Sequence, residues 1–88
     1  MTYSVKLTKR AVKDLERLDK VTQARLRERL KILALAPLDP YLSYPLEMAK
    51  EKRSSRVGDW RIIFQVNEAS FAIEVLSIDP RGKAYRKL

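Results

Sequence analysis

The sequence predicts an α+β fold of order β-α-α-β-β-β, with an N-terminal strand and an antiparallel helix hairpin packed on one face of a small, mainly antiparallel sheet. Periodicity and one turn carry this prediction. Apolar residues alternate over residues 3–7 and again on both sides of Gly58-Asp59, the period of a half-buried strand. Between these regions they recur at helical spacing. Gly58-Asp59 itself reads as a two-residue hairpin loop, Gly supplying the φ that a primed turn needs.

Tyr3, Val5 and Leu7 share one face of the first strand. Thr8 offers an N-cap to a helix over residues 9–18, whose apolar positions are Ala11 or Val12, Leu15 and Leu18. Asp19 is placed to cap a second helix that runs to about residue 36, striped by Leu26, Leu30 and Leu33 and stopped by Pro37. Arg25, Arg27, Arg29 and Lys31 on that helix read as a solvated face. Residues 37–50 carry Pro37, Pro40 and Pro45 among Tyr41, Leu42, Tyr44 and Leu46. That pattern predicts an ordered loop, with at most a short extended piece near residues 46–49.

If Gly58-Asp59 close the hairpin, Val57 faces Trp60, Arg56 faces Arg61, Ser55 faces Ile62 and Ser54 faces Ile63. One side then carries Val57, Trp60, Ile62 and Phe64 as core, and the other gathers Arg56 and Arg61, with Lys52 further along. A turn at residues 67–70 leads to a last strand over residues 71–78, with Phe71, Ile73 and Val75 expected opposite Val66, Phe64 and Ile62. The helices should then cover one face and leave the other concave and basic. A slip of one residue would invert the faces.

The 88 residues make a single domain, 1–88, and the net charge of +8 is the footprint of a protein that meets a polyanion. Nucleic acid fits best, because the apolar residues follow packing periods rather than an amphipathic membrane stripe. The start, MTYSVKLTKR, lacks the apolar run of a signal peptide, so a cytoplasmic location is expected. With no His and no Cys, the usual zinc sites and Cys- or His-based catalysis are excluded, and the acids show no metal-binding spacing. Gly58 and Gly82 are the only glycines, which rules out a Walker loop and a dinucleotide fingerprint. The ending PRGKAYRKL carries four basic residues and a Tyr but no acid. Beside strand-borne arginines it suggests a phosphate site.

Arg56-Val57-Gly58-Asp59-Trp60-Arg61 and Pro80-Arg81-Gly82-Lys83-Ala84-Tyr85, set after a strand and a helix hairpin, resemble the RelE/ParE superfamily of type II toxins. The likeness covers nearly the whole chain and is strongest to the RelE branch and its archaeal-type members. It implies an mRNA interferase that enters the ribosomal A site and cleaves mRNA there by attack of a ribose 2′-OH on the adjacent phosphate. It also implies a cognate antitoxin, with neither a metal nor a small-molecule cofactor. On this resemblance, Arg61 stabilises the phosphorane, Arg81 contacts the scissile phosphate, Tyr85 stacks on a base or helps activate the 2′-OH, and Lys52 adds charge. Arg53, Arg56, Lys83, Arg86 and Lys87 are the expected RNA and ribosome contacts. The physical logic is independent of the family, because preorganised cations aimed at a charge that develops in the transition state lower the barrier.

Ser54 departs from the family pattern, which has a basic residue there, and so leaves the general base unassigned. Arg56 has two open uses, a phosphate contact or an ion pair with Asp59 or Glu74. Trp60 reads as core or antitoxin interface ahead of a base platform. Two alternatives to the ribonuclease stand: a ParE-like inhibitor of DNA gyrase, and a nucleic-acid-binding homologue with weakened catalysis.

Overall fold

A computed structural model describes residues 2–80. Five strands form one sheet of order β1-β5-β4-β3-β2: β1 (Ser4–Leu7), β2 (Tyr44–Pro45), β3 (Lys52–Val57), β4 (Trp60–Asn67) and β5 (Ala72–Pro80). The helices are α1 (Lys9–Glu16) and α2 (Lys20–Leu35). β1 runs parallel to β5 and every other pairing is antiparallel, so the α+β class and its mainly antiparallel sheet are as the sequence predicts.

Both helix starts are set by side chains. Thr8 Oγ1 accepts the Ala11 amide at 3.1 Å, and Asp19 accepts the Thr22 amide at 3.1 Å and the Thr22 hydroxyl at 2.6 Å. These bonds to Thr22, the hydroxyl first, hold the Asp19 carboxyl below its ordinary pKa. α1 stops at Glu16, two residues short of the expected end, because the chain must turn before Asp19 opens α2. Ala36, extended at φ −153°, ends α2 in front of Pro37. Ala11 and Leu15 of α1 and Leu26, Leu30 and Leu33 of α2 pack on Val57, Ile62, Phe64, Ile73, Val75 and Ile78 of the sheet.

The β3–β4 hairpin has the expected register, with Val57 opposite Trp60 and Arg56 opposite Arg61. Gly58 has φ +58° and Asp59 does not share the positive sign, the pattern of a II′ turn. Two cations expected to be merely solvated lie between α2 and this hairpin. Arg29 donates to Ser55 Oγ and to the Arg56 carbonyl, both at 3.0 Å, and the Arg25 guanidinium lies where a Cβ on Gly58 would meet it at 3.5 Å.

The last strand corrects the expected register. Ile73, not Phe71, stands opposite Val66, and Val75 stands opposite Phe64. Phe71 adopts φ +51°, so it belongs to the turn, where its ring meets Tyr3 edge-on at 5.3 Å. A bulge follows at Ile63/Phe64, after which Ile78 rather than Val75 faces Ile62. α1 takes up backbone groups at this irregularity: Thr8 Oγ1 donates to the Leu76 carbonyl at 2.9 Å, and Asp14 accepts the Ile78 amide at 3.0 Å. The extended piece in the proline-rich loop is Tyr44–Pro45, earlier than residues 46–49, because Tyr44 pairs with Ser54 and Pro45 with Arg53.

Candidate functional site

The face of the sheet turned away from the helices is not an open basic surface. Ser54, Arg61, Ile63 and Ser77 are all buried there, Arg61 to 2% exposure and Ser54 to 0%. Residues 44–49 contribute to that cover: Tyr44 places its ring 5.7 Å from Arg61 Cζ, and the Leu46 amide donates to the Lys52 carbonyl at 2.9 Å. Arg61 Nη1 reaches Ser54 Oγ at 3.4 Å. The guanidinium is thus set between a strand hydroxyl and an aromatic ring, at a distance suited to a cation–π contact.

Beside Arg61 runs a groove of about 1110 Å³, lined by Tyr44, Lys52, Trp60 and Arg61 and closed on the α1 side by Arg10 and Asp14. It slightly exceeds the usual range of small-ligand pockets, roughly 300–1,000 Å³. Lys52 shares the Arg61 face but lies four positions along β3 from Arg56, the residue opposite Arg61. At about 3.3 Å per residue this is a backbone offset of about 13 Å. One sheet face therefore brings two of the expected catalytic cations, Arg61 and Lys52, to the groove but spaces them along it.

The other expected contacts divide. Arg56 stands opposite Arg61 and is exposed, and among the described residues it forms no ion pair with Asp59 or Glu74. Arg53 lies opposite Phe64, on the side away from Arg61, and uses its guanidinium as a clamp. Its Nε donates to Ser43 Oγ at 2.8 Å and its Nη2 to the Ser43 carbonyl at 2.9 Å. Arg53, expected as an RNA or ribosome contact, thus anchors the proline-rich loop in this structure. Trp60 is half-buried, packs against the core and also lines the groove. Arg81, Lys83, Tyr85, Arg86 and Lys87 lie outside the described residues.

Two elements of the site escaped the sequence reading. Tyr44 was legible only as an apolar anchor, because its approach to Arg61 depends on the β2–β3 pairing. The second is a chain of polar contacts at the α1 end, where Arg10 meets Asp14 at 3.8 Å and Asp79 at 3.5 Å, and Ser77 Oγ donates to Asp79 at 3.3 Å. Asp79 is also the cross-strand partner of Arg61. Among the described residues, no group of His, Cys, Asp and Glu is arranged to hold a metal ion, and no helix is long and apolar enough to cross a membrane.

The family model of the ParE toxin of type II toxin-antitoxin systems matches residues 5–85. Among solved structures, the chain is similar to the archaeal RelE–RelB complex from Pyrococcus horikoshii OT3, at 34% identity and TM-score 0.80 over 94% of this chain and 99% of that one. It is also similar to the toxin-antitoxin complex RelBE2 from Mycobacterium tuberculosis, at 27% identity and TM-score 0.81 over 92% and 100%. The isolated RelE toxin of E. coli shares the fold at 16% identity and TM-score 0.77, over 97% of each chain. A search of curated proteins found no match. With nearly its whole length matched by the family model, the chain belongs to the ParE toxin family of type II toxin-antitoxin systems, within the RelE/ParE superfamily.

Proposed function

We propose that this toxin is a ribosome-dependent mRNA interferase of the RelE type, which cleaves mRNA in the A site of cytoplasmic ribosomes and is restrained by a cognate antitoxin. The observation that carries the reading is Arg61, held by Ser54 and Tyr44 beside a groove of about 1110 Å³ that Lys52 also lines. The 34% identity to an archaeal RelE that is bound to RelB supports both the branch and the antitoxin partner.

In this mechanism Arg61 supplies fixed positive charge to the pentacoordinate phosphorane formed when the 2′-OH attacks. Arg81 neutralises the scissile phosphate and the leaving 5′-oxygen, Tyr85 acts on the base or the 2′-OH, and Lys52 engages the strand further along the groove. A buried, sterically held guanidinium loses little by reorganisation when the charge appears, which is why it favours the transition state over the ground state. Alignment of the RNA by the ribosome supplies the proximity that a site without a strong base lacks.

Ser54 favours a second reading. An uncharged residue beside Arg61 weakens the case for efficient proton abstraction, and a gyrase inhibitor of the ParE type has no need of it. Mapping mRNA ends in a translating extract separates the two. The ribonuclease predicts breaks within translated codons, persistent in EDTA once ribosome integrity is controlled, with 2′,3′-cyclic or 3′-phosphate ends. Intact mRNA together with inhibited DNA supercoiling overturns it in favour of the gyrase reading.

A further inference from the structure

We infer that Tyr44 is a substrate-contacting residue, a fixed aromatic platform on which a nucleobase of single-stranded RNA stacks while the buried Arg61 guanidinium beside the ring lends positive potential to the neighbouring phosphate. The inference rests on the ribonuclease reading of the groove and extends it to a residue that reading does not use.

The Tyr44 side chain helps cover Arg61 but is not among those packed on the core, and the residue is 41% exposed. Its position is nevertheless tightly specified. The backbone of Tyr44 pairs with Ser54 and that of Pro45 with Arg53, while Ser43, the residue before, is bound on three sides. Its hydroxyl donates to the Pro37 carbonyl at 2.8 Å, and both its hydroxyl and its carbonyl accept from Arg53. The Leu46 amide, just beyond, is bonded to the Lys52 carbonyl. An exposed ring on a backbone held from both sides is preorganised for a ligand, because little freedom is left to lose on binding.

The surroundings select the ligand. The ring keeps Arg61 within cation–π distance and still lines the groove, so an aromatic surface and a guanidinium stand side by side. Lys52 lies further along the same wall, and Leu46 and Met48 give the rim an apolar edge. A polymer that alternates flat bases with phosphates suits a ring set over positive charge, and stacking on aromatic side chains is how single-stranded nucleic acid is held without regard to sequence. Tyr41, at 94% exposure, is equally aromatic but is not part of the groove and is not expected to take part.

The test is a binding cycle that needs no cleavage. Short single-stranded RNA with 2′-O-methyl riboses is titrated against wild type, Tyr44→Phe and Tyr44→Leu, each with an intact strand and with strands made abasic at successive positions. Stacking predicts that Tyr44→Phe binds the intact strand as wild type does and that Tyr44→Leu loses about tenfold to a hundredfold. It also predicts that one abasic position removes most of the difference between Leu and Tyr. Equal losses on intact and abasic strands overturn the inference and leave a ring that only steadies Arg61. Unchanged binding, or no measurable binding by wild type, overturns it as well and turns the exposed ring toward a protein contact. Coupling in the cycle alongside intact mRNA in a translating extract would sustain the platform and reject the ribonuclease, so the two failures are distinct.

Discussion

Asp79 stands directly opposite Arg61 in the β4–β5 ladder, yet its carboxylate is engaged by Arg10 at 3.5 Å and by the Ser77 hydroxyl at 3.3 Å. The groove therefore sets an acid one strand away from its principal cation, with a second arginine drawing on that acid. The Arg10 side chain is largely exposed, so the ion pair contributes little to stability and acts mainly on the local potential.

For the proposed ribonuclease, Arg61→Met retains the buried aliphatic stem and removes the charge. Cleavage of A-site mRNA should fall by about two to three orders of magnitude, the usual effect of losing one transition-state donor. Because Arg61 is buried, circular dichroism and thermal melting of the same preparation must accompany the rate. A folded variant that cleaves at the wild-type rate removes Arg61 from the site.

Arg29→Ala removes two 3.0 Å hydrogen bonds from α2 to β3, one of them to the Arg56 carbonyl. The expected cost is about 2 kcal/mol, with Arg29→Lys falling between wild type and Arg29→Ala, because both bonds leave the single nitrogen Nη1 and an ammonium on a shorter stem only partly takes its place. Urea denaturation measures it. A variant as stable as wild type would return Arg29 to the solvated face that its helical position suggests.

Gly58→Ala should destabilise by about 1–2 kcal/mol, the cost of a left-handed conformation to a residue with a Cβ. The added methyl would lie at ordinary contact distance from the Arg25 guanidinium, so the backbone and not a clash sets the cost. Gly58→Asn should cost less, since Asn tolerates that region. A shift of the denaturation midpoint for Ala equal to or below that for Asn contradicts this account.

Asp19 gives a pH signature. Its carboxyl is held below the ordinary value of 3.8 by the Thr22 hydroxyl and amide, so its charged form stabilises the folded state. That contribution is fully present above the unfolded-state pKa and is lost as pH falls through the lower folded-state value. Asp19→Ala should therefore melt below wild type at neutral pH, with the gap closing in acid. A gap that stays constant across the titration would assign the cap's effect to something other than ionisation.

What the sequence determined by itself lies within short spans of chain. Thr8 and Asp19 announce the helix starts, Pro37 the end of α2, and Gly58 the hairpin whose register follows residue by residue, because each depends on neighbours only a few positions away. The family likeness adds Arg61 as the cation to examine. Tertiary structure decided everything that joins distant spans. Phe71 is an apolar residue at the edge of an alternating run, and only its left-handed φ in the folded turn moves it out of the strand and shifts the register of β5. Arg29 reads as a solvated cation and Arg53 as an RNA or ribosome contact until the packing of α2 and of the proline-rich loop gives their guanidinium groups acceptors. Arg61 and Tyr44 meet only because β2 joins the edge of β3, a pairing held by Ser43 and Arg53 that no periodicity in residues 37–50 encodes.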